Sequence, residues 1–175
     1  MKKKNRPIRH RMEFAAFQVL AGLVRLIPRR WIPFWGGLIG NLIFRVPSRR
    51  RRIAVDNIRA SLGSTGEEAF RIARTTFRRS GEHFIDFIKT AGDSPDAVRE
   101  RYRVEGWENF QKALEKGKGV IFIAFHFGKW ELQGMFHATI GYPTAVLGRP
   151  LDNPFLDQWV HRAREKFGMR VINSK

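Results

Sequence analysis

An uninterrupted apolar run that ends at a histidine limits most strongly what this chain can fold into. Residues 119–125 read Gly-Val-Ile-Phe-Ile-Ala-Phe, and His126, Phe127, Gly128, Lys129, Trp130 and Glu131 follow. The run is too short to span a membrane, but it suits a strand buried on both faces of a sheet. Ligands and chemistry collect at the carboxyl ends of strands in open α/β sheets. We therefore expect a functional site where this strand ends.

His126 and Glu131 form a candidate pair of base and orienting carboxylate. Histidine takes up a proton near neutral pH, and a carboxylate on its other ring nitrogen holds the imidazole in place. Residues five apart in one continuous helix point about 140° apart. We therefore expect His126 in a turn before a helix, Gly128 in that turn, and Glu131 in the first turn or two of the helix. The alternative is a structural histidine that closes a strand, with Glu131 on a solvated helix face.

The chain offers no activated nucleophile beside this pair. Cysteine is absent and no Gly-x-Ser-x-Gly segment occurs. The absence of cysteine also excludes disulfides and cysteine-ligated metals. The residues favour direct attack by a substrate hydroxyl that His126 deprotonates, without a covalent intermediate. The backbone N–H groups of residues 127–129, at the start of the predicted helix, are candidate donors to the oxyanion that develops.

The charge balance favours an anionic partner. The 175 residues carry 33 Lys and Arg against 16 Asp and Glu, a net charge of +17. Nucleic acid, an anionic membrane surface and an acidic protein all fit such a field. The chain also has 15 phenylalanines and 5 tryptophans, which suit the lipid–water interface better than a purely electrostatic contact. No nucleic-acid-binding motif is recognisable, so we expect no nucleic-acid partner.

The first 46 residues predict a basic arm and membrane-associating helices. The basic arm covers residues 1–12, and two apolar runs follow at residues 14–24 and 31–44. Neither run reaches the roughly 18 apolar residues of a spanning helix. We expect a helix over residues 11–27 that inserts shallowly or obliquely, with its basic end cytoplasmic, and then a partly buried interfacial helix. A hydrophobic helical hairpin packed on the core is the alternative.

The remaining residues, 47–175, predict an α/β domain. Helices over residues 49–62, 107–116 and 154–167 and strands over residues 120–125, 144–147 and 169–172 indicate a mainly parallel sheet flanked by helices. Asn153 is a good N-cap with Pro154 at the first helical position. Arg149 follows the second strand, at the same sheet edge as His126, and is placed to bind a phosphate bidentately.

Four consecutive arginines open the predicted helix over residues 49–62. Cations at a helix N-terminus oppose its dipole, which favours a phosphate or lipid headgroup as their partner. A solvated first helical turn is the alternative. The candidate phosphate ligands are Arg49, Arg50, Arg51 and Arg52.

Five stretches in the same order give the chain a family resemblance. His126-x4-Glu131 resembles the H-x4-D/E signature of glycerolipid acyltransferases, and the surrounding segments resemble bacterial lipid A biosynthesis (late) acyltransferases in particular. The supporting segments are Arg-Arg-Arg-Arg-Ile-Ala-Val-Asp-Asn-Ile-Arg-Ala-Ser-Leu at 49–62, Val-Glu-Gly-Trp-Glu-Asn-Phe at 104–110, Gly-Lys-Gly-Val at 117–120 and Gly-Arg-Pro-Leu-Asp-Asn-Pro at 148–154.

This resemblance implies a reaction and its partners. It implies O-acyl transfer from acyl-carrier protein or acyl-CoA to a hydroxyl of a membrane glycolipid such as a lipid A precursor, at the cytoplasmic face of the bacterial inner membrane. His126 and Glu131 would be catalytic, and no metal or other cofactor is required. An arginine of the following helix would join the substrate site: Arg164 matches that position best and Arg162 is a near neighbour, with a plain surface charge as the alternative for either.

The resemblance also bears on completeness. Family members usually run much longer, so we expect this chain to correspond to the N-terminal three-fifths of such an enzyme, with an incomplete sheet. An open sheet edge and exposed apolar helix faces would follow. The runner-up interpretation is a truncated, non-catalytic membrane-surface binding protein of the same fold, for which loss of His126 would have no functional effect.

Overall fold

The computed structural model describes residues 7–174 and divides them into two compact units. Residues 12–90 form the first, here called the helical unit. Residues 7–11 and 91–174 form the second, here called the mixed unit. Residues 1–6 of the predicted basic arm lie outside the described residues. The predicted division after residue 46 falls between two helices of the helical unit and stays a prediction.

The helical unit follows the apolar periodicity of its sequence. Its elements are α1 (Pro7–Leu26, of which residues 12–26 belong to this unit), a short 3-10 turn (Arg29–Trp31), α2 (Ile32–Arg45), α3 (Arg49–Leu62) and α4 (Gly66–Thr90). The Ser48 hydroxyl caps α3 by accepting from the Arg51 N–H, and Gly63, with φ 61°, ends that helix in the left-handed region. The helices predicted near residues 11–27, 31–44 and 49–62 are confirmed.

The core of this unit is the contact between α2 and α4. On α2 the buried positions Ile32, Gly36, Gly40 and Phe44 recur every four residues, and Gly37 is buried beside them. A Cβ added at Gly40 would stand 2.7 Å from the Arg78 Cα of α4. The glycines therefore let the two helix backbones approach closely.

No helix in the described part of the chain is both long enough and apolar enough to cross a membrane.

The mixed unit contains short helices and one pair of strands. Its elements are α5 (Pro95–Arg99), α6 (Trp107–Leu114), α7 (Trp130–Thr139), β1 (Thr144–Gly148), α8 (Pro154–Glu165) and β2 (Met169–Asn173). The strands are parallel, with Thr144 opposite Met169, and α8 is the crossover between them. The Asn153 carboxamide accepts from the N–H groups of Phe155 and Leu156, which confirms the predicted N-cap.

The predicted strand over residues 120–125 is not formed, and these residues are not buried as expected. Ile121 is 94% exposed and Ile123 is 84% exposed. An extended segment becomes a strand only when a neighbour exchanges backbone hydrogen bonds with it. Within residues 7–174 the sheet consists of β1 and β2 alone. The described chain is thus mostly helical with a small parallel sheet, which agrees with an α/β class but not with a larger sheet.

Candidate functional site

A tight turn presents His126 immediately before α7. The N–H of Phe127 donates to the carbonyl oxygen of Phe125 at 2.7 Å, which makes His126 the central residue of a γ-turn. Gly128 follows with φ 59°, in the left-handed region that glycine adopts without strain. The helix then begins at Trp130 and carries Glu131 in its first turn. This confirms the expected placement of His126 before the helix and of the acid at its start.

The imidazole of His126 lies at the surface beside an aromatic ring. Its centroid is 5.2 Å from that of Trp130, with the two planes inclined by 53°. The structure gives His126 no hydrogen bond with any residue between 7 and 174. Sequence reasoning did not assign Trp130 a role, although an aromatic residue four positions after a histidine was a visible signal. Its ring limits where the imidazole can turn.

The Glu131 carboxylate is held by Arg164 of α8. Arg164 Nη2 donates to Glu131 Oε1 at 2.6 Å, and Nε donates to Oε2 at 3.2 Å. This is the bidentate geometry in which an arginine binds a carboxylate most strongly. The Arg164 side chain is only 15% exposed and that of Glu131 only 28%. Sequence reasoning chose both residues but assigned them different partners. The hydrogen bond expected between His126 and Glu131 is not formed, because Arg164 holds the carboxylate and His126 has no hydrogen bond with a described residue.

Arg164 also reaches the carboxyl end of β1. A Cβ added at Gly148 would stand 3.5 Å from Arg164 Nη1. The N–H of Ser174 donates to the Gly148 carbonyl oxygen at 2.9 Å and closes this end of the sheet. The structure therefore brings together the first turn of α7, the side chain of Arg164 and the last residue of β1. Arg149 follows directly, with an exposed side chain that has no ion pair among the described residues.

The arginines at the start of α3 belong to the helical unit and are of two kinds. Arg51 Nη1 donates to the carbonyl oxygens of Phe44 at 3.1 Å and Arg45 at 3.4 Å, the last residues of α2. Its guanidinium also lies 5.6 Å from the centroid of the Phe44 ring and 5.8 Å from that of Phe70. Arg51 therefore caps a helix. Three neighbours have exposed side chains without a partner in the described part of the chain: Arg49, Arg50 and Arg52.

Aromatic contacts hold the segment that leads to His126. Phe122 stacks on Phe110 of α6 with centroids 5.3 Å apart, and it lies 4.9 Å from the ring of His137 in α7. Burial lowers the pKa of His137 below its ordinary value of 6.5, because an imidazolium loses hydration there. His137 therefore acts as a neutral packing residue that links α7 to residues 120–126.

The donors available to an oxyanion are fewer than the sequence indicated. The Phe127 N–H is used within the γ-turn, whereas the Gly128 N–H has no partner among residues 7–174. In the same described range, no three His, Cys, Asp or Glu side chains cluster in a way that suits a metal ion. The site thus offers an exposed imidazole, an arginine-held carboxylate and the free backbone N–H of Gly128.

His126 before α7, Glu131 in the first turn of that helix and Arg164 on its carboxylate are the residues that the resemblance to acyltransferases singled out. The model of the bacterial lipid A biosynthesis acyltransferase family matches residues 1–175, and the chain belongs to this family. No curated protein matches the chain. Family membership confirms the resemblance read from the five segments. It supports an acyltransferase role in lipid A and lipopolysaccharide biosynthesis, with an acyl donor and a lipid A-type acceptor in general.

Proposed function

We propose that this protein transfers a fatty acyl chain from an acyl thioester to a hydroxyl of a membrane glycolipid, with His126 as general base. The observation that carries the proposal is the γ-turn that exposes His126 directly before α7, with Glu131 in the first turn of that helix, in a chain of this family. No cofactor takes part in the proposed reaction.

The chemistry follows from the groups at the turn. The His126 imidazole accepts the proton of the acceptor hydroxyl while the hydroxyl oxygen attacks the thioester carbonyl. The N–H of Gly128 donates to the oxyanion that forms. Collapse of this intermediate breaks the carbon–sulfur bond, and the leaving thiolate receives the proton from the imidazolium. The products are an ester and a free thiol, so atoms and charge balance.

Glu131 and Arg164 support the base. Catalytic hydrogen bonds often tighten only when substrate is bound, and Glu131 lies within the helical turn that follows His126. With Arg164 on both its oxygens, the carboxylate still has lone pairs with which to accept a hydrogen bond from the imidazolium. In this proposal Glu131 orients His126, and Arg164 holds Glu131 instead of a phosphate.

Charge supports acyl-carrier protein as donor and a phosphorylated glycolipid as acceptor. A net charge of +17 attracts an acidic carrier protein. Four arginines without an ion pair in the described residues are available for phosphates: Arg49, Arg50, Arg52 and Arg149. We place the reaction at the cytoplasmic face of the bacterial inner membrane, where acyl donor and glycolipid acceptor meet.

The test is acyl transfer from labelled acyl-carrier protein to a lipid A precursor in membranes that contain the chain. His126→Ala is expected to reduce incorporation at least about a hundredfold, since a general base contributes that much or more. His83→Ala, in the helical unit, is the matched histidine control and should retain full activity. Activity that survives His126→Ala at equal protein level contradicts the proposal. Repeating the assay with acyl-CoA decides between the two donors.

A further inference from the structure

One face of α2 consists entirely of exposed apolar side chains. The opposite face packs on α4, and the one polar side chain between Ile32 and Phe44, that of Asn41, accepts from Arg74 Nε of α4 at 3.2 Å. The outward residues with their exposed fractions are Phe34 56%, Trp35 43%, Leu38 42% and Leu42 49%. A helix that is apolar all round is normally buried or in contact with lipid. This face, together with Trp31, is here called the α2 outer face.

The outer face continues into an apolar cleft. The cleft has a volume of about 390 Å³ and is lined by Leu26, Ile27, Pro28, Trp31, Phe34 and Trp35. The Phe34 ring contacts Trp31 at 6.0 Å and Trp35 at 5.2 Å, both edge to face. Tryptophan rings in such surface clusters concentrate at the boundary between lipid headgroups and acyl chains.

Positive charge surrounds the outer face. Residues 29–55 contain seven arginines and no lysine or acidic residue. Arg30 precedes α2 and Arg45 ends it, while Arg49, Arg50 and Arg52 follow at the start of α3, and the described chain gives none of these five side chains an ion pair. An apolar, tryptophan-bearing strip between unpaired arginines matches a bilayer that contains anionic phospholipids.

We propose that the α2 outer face is a membrane-docking surface that places α2 in the plane of an anionic bilayer. The 14 residues of α2 extend about 21 Å, which is less than the hydrocarbon thickness and suits a helix in the interface. Apolar rings and leucines enter the headgroup–acyl boundary, and the arginines bind lipid phosphates. The docking surface adds a membrane partner to the proposed function. It rests on the proposed function only for the identity of the glycolipid that the docked protein meets.

Vesicle binding tests the surface without any acyl donor or acceptor. The full chain is floated with phosphatidylcholine vesicles, with and without phosphatidylglycerol. Leu38→Asp with Leu42→Asp should weaken partitioning at least about tenfold on both compositions. Ile121→Asp with Ile123→Asp, which changes two still more exposed apolar residues of the mixed unit, is the control and should not change partitioning. Replacing Arg49, Arg50 and Arg52 by Gln should weaken binding about fivefold per residue, only on phosphatidylglycerol vesicles.

Quenching by brominated lipids provides a measurement on undisturbed protein. Trp31→Phe with Trp35→Phe should remove most of the quenching, whereas Trp107→Phe with Trp159→Phe should keep it. His126→Ala should bind vesicles as wild type does, so that failure of catalysis and failure of docking are told apart. Wild-type binding by the aspartate variant, or quenching that survives loss of Trp31 and Trp35, overturns the proposal. If the wild-type protein is a dimer without lipid and the aspartate variant is a monomer, the proposal is also overturned, because the face would then bind a second copy of the chain.

Discussion

The close approach of α2 and α4 predicts that Gly40→Ala is destabilising although alanine is the better helix former. The new Cβ would stand 2.7 Å from the Arg78 Cα, whereas ordinary contact begins at 3.4 Å. Because the opposing atoms are backbone, no side chain can rotate away, and the helices must separate by roughly 1 Å. Such a gap forfeits a quarter to a half of each dispersion contact across the interface.

The expected magnitude is the difference between two effects. Overpacking against a rigid neighbour costs about 3 kcal/mol at the upper end of its usual range. The gain in helix propensity offsets about 1 kcal/mol of this. The net loss of roughly 2 kcal/mol should lower the midpoint of urea unfolding by about 1 M, as measured by circular dichroism on the whole chain.

Gly22→Ala is the matched control, because Gly22 lies in α1 and a Cβ there would meet no atom within 4 Å. Without a clash, only the propensity gain of about 1 kcal/mol remains, so the midpoint should rise. Opposite signs for the two substitutions are the signature of backbone contact at Gly40. A Gly40→Ala protein that is as stable as wild type, or a loss at Gly22, would refute the reasoning.

Three further predictions concern side chains of the two units. Arg164→Ala should lower kcat more than about tenfold with KM nearly unchanged, because Arg164 positions the acid and does not bind substrate. Arg164→Lys should recover part of kcat, and Arg162→Ala on the same helix should have no effect. A change in KM alone would contradict this role. Arg51→Ala should cost about 1–2 kcal/mol of stability through the uncapped carbonyls of α2, whereas urea unfolding of Arg50→Ala should match wild type. Because burial lowers the pKa of His137 below 6.5, the unfolded chain binds more protons below about pH 6.5 and stability falls there; unfolding of His137→Phe should lack this part of the pH dependence.

Local chemistry was the part of the fold that could be predicted from the sequence. Asn153 followed by Pro154 marks the start of α8, since a side-chain acceptor and a missing N–H satisfy that helix end without any distant residue. Ser48 marks the start of α3 for the same reason, and apolar periodicity indicated α1 and α2. The placement of His126 before a helix and of Glu131 within it was expected from helix geometry together with the assumption that the two side chains pair.

Features that depend on a distant partner were the part that could not be predicted. The apolar run over residues 120–125 has the composition of a strand, but composition does not supply the neighbour that a ladder requires. The pair of Glu131 and Arg164 joins residues 33 positions apart, and the contact of Gly40 with α4 spans a similar distance along the chain. Each becomes evident only when the helices are placed against their neighbours.

The candidate arginines show how partners divide residues that the sequence treats alike. All six were assigned to the substrate: Arg49, Arg50, Arg51 and Arg52 as a run of cations, Arg149 for its place after a strand, and Arg164 through the family resemblance. In the structure, Arg51 is satisfied by carbonyls of α2 and Arg164 by a carboxylate of α7, so both hold elements of their own unit in place. The other four keep exposed guanidinium groups without an ion pair in the described chain: Arg49, Arg50, Arg52 and Arg149. Removing a positioning arginine should therefore change stability or kcat, while removing an unpaired one should change KM and its dependence on salt.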